Sequence, residues 1–192
     1  MSEIVAWLRG RLPEGSIITN GAGNFSGWPQ RFYQYTGFRT QLAPTNGAMG
    51  YGVPAAIAAK LVHPERTVVC FAGDGDFLMT GQELATAVQY SAPVIFVLLN
   101  NGMYGTIRMH QERDYPARVY GTALHNPDFA ALAQAYGAHG ERVERTQDFA
   151  PAFERAMSAG RPALLELSID PEAITARASL TQIREQALKA RR

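Results

Sequence analysis

The chain of 192 residues is 46% hydrophobic and 18% charged, with a formal net charge of +1. That balance excludes a disordered tail, a collagen-like repeat and a disulfide scaffold, and it leaves no net field to draw in nucleic acid or anionic lipid. A single domain spanning 1–192 is expected, able to bury roughly 70% of the surface its unfolded chain would expose.

In chain order, Ile4, Val5, Trp7, Leu8 and Leu12 recur at helical spacing, and Pro13, Glu14 and Gly15 end that helix. The opening acid Glu3 and the lack of a sufficient apolar run argue against an export signal. SIIT at 16–19 is a short strand, and the Gly/Asn/Ser-rich stretch 20–30 is a loop. Trp28, Phe32, Tyr33, Tyr35 and Phe38 form an aromatic group expected in the core. PAAIAAKLV is a small-residue helix with Pro54 in its first turn.

RTVVCFAG (66–73) and PVIFVLLN (93–100) are continuous apolar strands. Between them TGQELATAVQY (80–90) reads as a helix, with Thr80 and Glu83 at capping-box spacing. After NNGMYG comes the helix of TIRMHQERD, then a helix at 126–137 capped by Asn126 or Asp128. A strand at AHGERVE, a helix at 146–160, a strand at 162–169 and a basic peripheral helix complete the chain. Lys189, Arg191 and Arg192 read as a solvated tail, with a lid over the site as the alternative. Strands apolar on both faces, alternating with helices, predict an α/β fold with a doubly wound, mainly parallel sheet and helices on both faces.

The single cysteine, Cys70, lies in an apolar strand and cannot form an internal disulfide. A buried residue in a reducing, cytoplasmic protein is expected. No apolar stretch approaches the ~20 residues a membrane span requires.

The chemistry gathers at GDGDF (73–77) and NNGMYG (100–105), each placed where an apolar strand gives way to a helix. Ligands bind at such strand ends, and glycine-rich turns let backbone amides approach an anion. The Asp74 carboxylate, the Asn101 amide oxygen and a loop carbonyl would form a hard oxygen set suited to Mg²⁺ bridging to a diphosphate. Either turn alone could be only a turn; the pair is the stronger signal. GAGNFSG departs from a dinucleotide-binding G-x-G-x-x-G, since Ser26 holds the last glycine position.

GDG followed at this distance by NN resembles the motif of thiamine diphosphate-dependent enzymes. TNGAMGYGVPAAIAAKL, AGDGDFLMTGQELATAVQY and VLLNNGMYGTIRMHQE resemble, in order, the C-terminal diphosphate-binding domain of the acetolactate synthase and benzoylformate decarboxylase group. The resemblance implies thiamine diphosphate and Mg²⁺ as cofactors and a 2-oxo acid as substrate. It implies Asp74 and Asn101 as side-chain metal ligands and Met103 as a carbonyl ligand. Gly73, Gly75, Asp76, Tyr104 and Gly105 would cradle the diphosphate, with Asn24 a further contact. Gly47, Ala48 and Met49 would meet the rings, Gly47 through its carbonyl and Met49 as the wedge that folds the cofactor.

In that family the activating glutamate comes from a pyrimidine-binding domain, which is expected here on a partner domain or subunit. The pyrimidine-binding and middle domains are expected to be absent from this chain, so that the chain alone would be inactive. A natural subunit of a split decarboxylase resembling sulfopyruvate decarboxylase, and a non-catalytic module, are the alternatives. Because the family site lies between subunits, a homo-oligomer is expected. Asp76 stands where the family more often has Ser or Ala, and must turn away from a diphosphate, for instance to cap a helix. Glu83 and Glu112 are expected at the surface or as caps. His110, Arg108 and Arg113 could face a substrate, but are more simply solvated, while His63, His125 and His139 are expected to be structural or solvated.

Overall fold

The computed structural model describes residues 1–191; Arg192 of the expected tail lies outside them. Six parallel strands form one sheet in the order β2-β1-β3-β4-β6-β5. The elements are α1 (Ser2–Arg11), β1 (Ile17–Asn20), α2 (Gly27–Phe32), β2 (Gln41–Leu42), α3 (Gly52–Val62) and β3 (Val68–Gly73). They continue with α4 (Asp74–Phe77), α5 (Leu84–Gln89), β4 (Ile95–Asn100), α6 (Gly105–Asp114) and α7 (Phe129–Ala135). The last are β5 (His139–Val143), α8 (Phe149–Ser158), β6 (Ala163–Ser168) and α9 (Leu180–Ala190).

The continuous apolar runs become central strands because both of their faces are covered. Val68, Cys70 and Ala72 of β3 point into one core with α3, α5 and α7. Val69 and Phe71, the alternate residues, point into a second core with α1 and α8. The same alternation splits Phe96 and Leu98 of β4 from Ile95, Val97 and Leu99. The doubly wound expectation therefore holds, and the sheet is wholly parallel. Cys70 is fully buried, and that burial pushes its thiol up to about 12.

Three local expectations change. The stretch 20–30 is not a plain loop: it closes as a 3-10 turn at Asn24–Ser26 followed by α2. Trp28, Phe32, Tyr33 and Tyr35 pack on the second core as expected, but Phe38 is 87% exposed, with Arg39 against its ring. Thr80 caps nothing: its hydroxyl donates to the Gly50 carbonyl at 2.8 Å, while Glu83 accepts from the Thr86 hydroxyl. Residues 81–83 are then a 3-10 turn ahead of α5. The capping box occurs instead at Ser179 and Gln182, opening α9. Asp128, not Asn126, caps α7 by accepting from the Ala131 amide.

The topology fixes where a ligand goes. The chain leaves β1 for β2 on one side and reaches β3 on the other, so the helices after β1 and β3 part and open a crevice at the carboxyl ends of the strands.

Candidate active site

A cleft lies in that crevice. Ala22–Phe25 follow β1, Gly73 ends β3 and Asp74–Asp76 follow it, Asn101 and Met103–Ile107 follow β4, and Ile169, Ala173 and Ile174 follow β6. Met49 reaches it from the loop before α3. Of the residues expected here, all line the cleft except Gly47 and Ala48, which lie exposed on its rim loop.

Two strand ends meet at Asp74, which is 3% exposed. Its Oδ2 accepts from the Gly102 amide and from Asn126 Nδ2, each at 2.8 Å. Its Oδ1 accepts from the Gly75 amide at 3.0 Å. Burial raises the carboxyl above its ordinary range, and these hydrogen bonds pull it back. Gly102 has a φ of +70°, the left-handed turn that glycine adopts freely, and this turns its amide toward Asp74. Asn101 accepts from the Met103 amide through its own Oδ1 at 3.2 Å.

The loop beyond is clamped to a second segment. Tyr104 donates its amide to Thr122, and Leu124 donates to Gly102. That bridge uses the carbonyl of Gly102 and leaves the Met103 carbonyl out of it. α6 then starts at Gly105, and the N–H groups of its first turn have no partner within the helix. They face the cleft through Gly105 and Thr106 and provide positive partial charge for an anion.

Asp76 caps no helix, and it lines the cleft. Its Oδ1 accepts from the Gly50 amide at 2.8 Å and from the Ala22 amide at 3.1 Å. One carboxylate thereby ties the Met49 loop and the loop after β1 to the GDG turn. Its Oδ2 is buried without a partner, and burial pushes the carboxyl up to about 6. The Asn24 side-chain Nδ2 donates to Met109 Sδ, and the Asn24 backbone N–H donates to the Thr106 hydroxyl.

Several expectations about polar residues change. Glu112 is not a surface or capping residue: it is 1% exposed and accepts from Arg108, Arg184 and the Ala117 amide. Arg184 thus fixes α9 to α6. Arg108 is spent on Glu112, and Arg113 on Asp114. His110 is exposed and lies outside the cleft lining. His139 pairs with Glu141. Lys189 and Arg191 are exposed, and Arg191 donates to the Asp114 carbonyl.

Sequence reasoning missed Thr106, the segment 169–174 and, above all, Asn126. Asn126 reads as a helix cap because Asn and Asp are both good caps, and nothing local distinguishes them. Its role is set by long-range placement beside Asp74.

The residues fit a metal-bridged diphosphate. Among the described residues no three His, Cys, Asp or Glu side chains gather, so an all-side-chain metal cluster is not the design. Asp74 brings a carboxylate and Asn101 an amide oxygen to this part of the cleft, hard donors of the kind that suit Mg²⁺ when phosphate oxygens complete the shell. The turns leave no room for larger residues: a β-carbon on Gly75 would stand 2.6 Å from the Tyr104 ring, and one on Gly73 2.7 Å from Phe25.

Residues 21–167 match the model of the family described as thiamine pyrophosphate enzyme, C-terminal TPP binding domain. The acetolactate synthase isozyme 2 large subunit of Escherichia coli (strain K12) is 35% identical over 165 residues, covering 85% of this chain and 30% of that protein. The acetolactate synthase of Arthrospira platensis is 36% identical over 156 residues, covering 80% of this chain and 27% of that one. The Rhodococcus jostii RHA1 thiamine diphosphate-dependent 4-hydroxybenzoylformate decarboxylase superposes with a TM-score of 0.80 at 29% identity. It covers 88% of this chain and 32% of its own. The chain thus spans under a third of the length of these relatives. No described helix is long and apolar enough to cross a membrane. Together with the parallel sheet and its crevice, the match places this chain in the thiamine pyrophosphate enzyme family, as a C-terminal TPP-binding domain.

Proposed function

We propose that the cleft holds thiamine diphosphate through Mg²⁺, with Asp74 and Asn101 as side-chain ligands and Met103 as a carbonyl ligand, in the service of 2-oxo acid decarboxylation or carboligation. The observation that carries this reading is the Gly102 amide on Asp74 at 2.8 Å, which brings the GDG and NNG turns to one point of the crevice.

In this reading the first turn of α6, with Tyr104 and Gly105, receives the diphosphate, and the Gly73–Gly75 turn gives it backbone access. Asp76 keeps its charge off the diphosphate by spending Oδ1 on Gly50 and Ala22. The same carboxylate holds the loop that presents Gly47, Ala48 and Met49 to the rings. When bound, the cofactor supplies the thiazolium electron sink for carbon dioxide release; the protein supplies position and electrostatics.

The activating glutamate comes from a pyrimidine-binding domain on a partner domain or subunit, so this domain alone is inactive. Half-exposed Leu78 and Met79 support an assembly of at least two copies. Buried Cys70 suits a cytoplasmic setting.

Titration calorimetry tests the reading. Thiamine diphosphate is expected to bind with Mg²⁺, and not with chelator or in Asp74→Ala. Equal affinity with and without Mg²⁺ would sink it.

A further inference from the structure

Asn126 stands outside the cleft lining, yet its side chain is committed wholly to the site. Its Nδ2 donates both to Asp74 Oδ2 and to Asn100 Oδ1, each at 2.8 Å. Its own Oδ1 is buried without a partner. The amide orientation is nonetheless forced, because a flipped amide would set its oxygen against two other oxygens.

The chain of bonds continues across the sheet. Asn100 Nδ2 donates to Glu166 Oε1 at 2.8 Å, and Glu166, 1% exposed on β6, accepts from Arg142 on β5 at 3.2 Å. The partner of Asp74 is thus itself held by β4, which is braced by β6 and β5. A connected chain of hydrogen bonds of this kind fixes a side chain more tightly than any single bond.

We propose that Asn126 is a positioning residue that fixes the rotation of the Asp74 carboxylate and thereby sets which divalent ion the site prefers. The inference rests on the reading of Asp74 as a metal ligand. With Oδ2 held by Asn126 and Gly102, and Oδ1 by Gly75, the carboxylate plane is determined from both ends. Mg²⁺ demands near-ideal octahedral geometry, whereas Ca²⁺ accepts a loose and variable one. Without Asn126 the carboxylate keeps only its two backbone anchors, Gly102 and Gly75, and the looser hold penalises Mg²⁺ more than Ca²⁺.

The test titrates thiamine diphosphate into the full chain at graded Mg²⁺ or Ca²⁺, following binding by calorimetry. Asn126→Ala is expected to raise the Mg²⁺ needed for half-maximal binding by about tenfold or more. The Ca²⁺ requirement should move by less than about threefold, and cofactor affinity at saturating Mg²⁺ should approach that of the parent. Asn126→Leu keeps the volume, removes the donor and carries the same expectation should the alanine variant not fold. A merely structural role would weaken cofactor binding at every ion concentration and leave the Mg²⁺-to-Ca²⁺ ratio unchanged; that outcome overturns the inference while the functional reading stands. A parent chain that binds no cofactor with either ion overturns both.

Discussion

The Asp76 carboxylate lies directly against the Cα of Gly21: a β-carbon there would stand 2.0 Å from Oδ1 and 2.2 Å from Oδ2. Asp76 cannot easily retreat, because Oδ1 is held by the amides of Gly50 and Ala22. Gly21→Ala is therefore expected to destabilise the chain by about 1–3 kcal/mol, read by urea unfolding. Asp76→Ser takes away the obstructing carboxylate. The double variant should recover part of the loss, a coupling of about 1 kcal/mol or more in a mutant cycle. Additive losses would mean that the two residues do not share that space.

Glu112 is the joint between α6 and α9. The Arg184 guanidinium beside it, with the Ala117 amide and Arg108, pulls its carboxyl from an ordinary 4.5 down to about 2, against the opposing effect of burial. A carboxyl depressed in the folded state stabilises fully above its unfolded value, and that stability is lost as pH falls through the folded value. Parent and Glu112→Gln should thus differ by about 3 kcal/mol at neutral pH. The difference should shrink between pH 4.5 and 2. Urea unfolding at stepped pH checks this, and a pH-independent difference would count against it.

The strands were legible because burial on both faces needs nothing but apolar, β-branched sequence: TVVCFAG and PVIFVLLN gave β3 and β4 almost to the residue. The crevice was legible too, since Gly-Asp-Gly and Asn-Asn-Gly mark the ends of those strands. What sequence could not show was where polar side chains are spent. Thr80 has the form of a cap, but its hydroxyl is taken by Gly50, far away in sequence. Glu112 reads as a solvated helix residue until Arg184, on the last helix, is folded onto it. Phe38 has the chemistry of a core residue, but the turns after α2 carry it out to solvent. The Thr80 and Glu112 misses concern long-range partners that no local pattern encodes.

Gly75 separates two readings of the GDG turn. A β-carbon there would stand 2.6 Å from Tyr104 Cε1 and 2.7 Å from its Cδ1, and 3.3 Å from Leu124. The backbone at Gly75 has no positive φ, so the demand for glycine is one of contact and not of conformation. The ring of Tyr104 must swing away in Gly75→Ala, and Tyr104 immediately precedes α6. The loss should therefore fall on the diphosphate end of the site: weaker thiamine diphosphate binding by about tenfold, for roughly 1–2 kcal/mol of misfit. If the clash with the ring is the cause, Tyr104→Ala in the same chain should relieve it, so that the double variant binds better than Gly75→Ala alone. A double variant that binds worse would assign the glycine to direct backbone approach by the ligand.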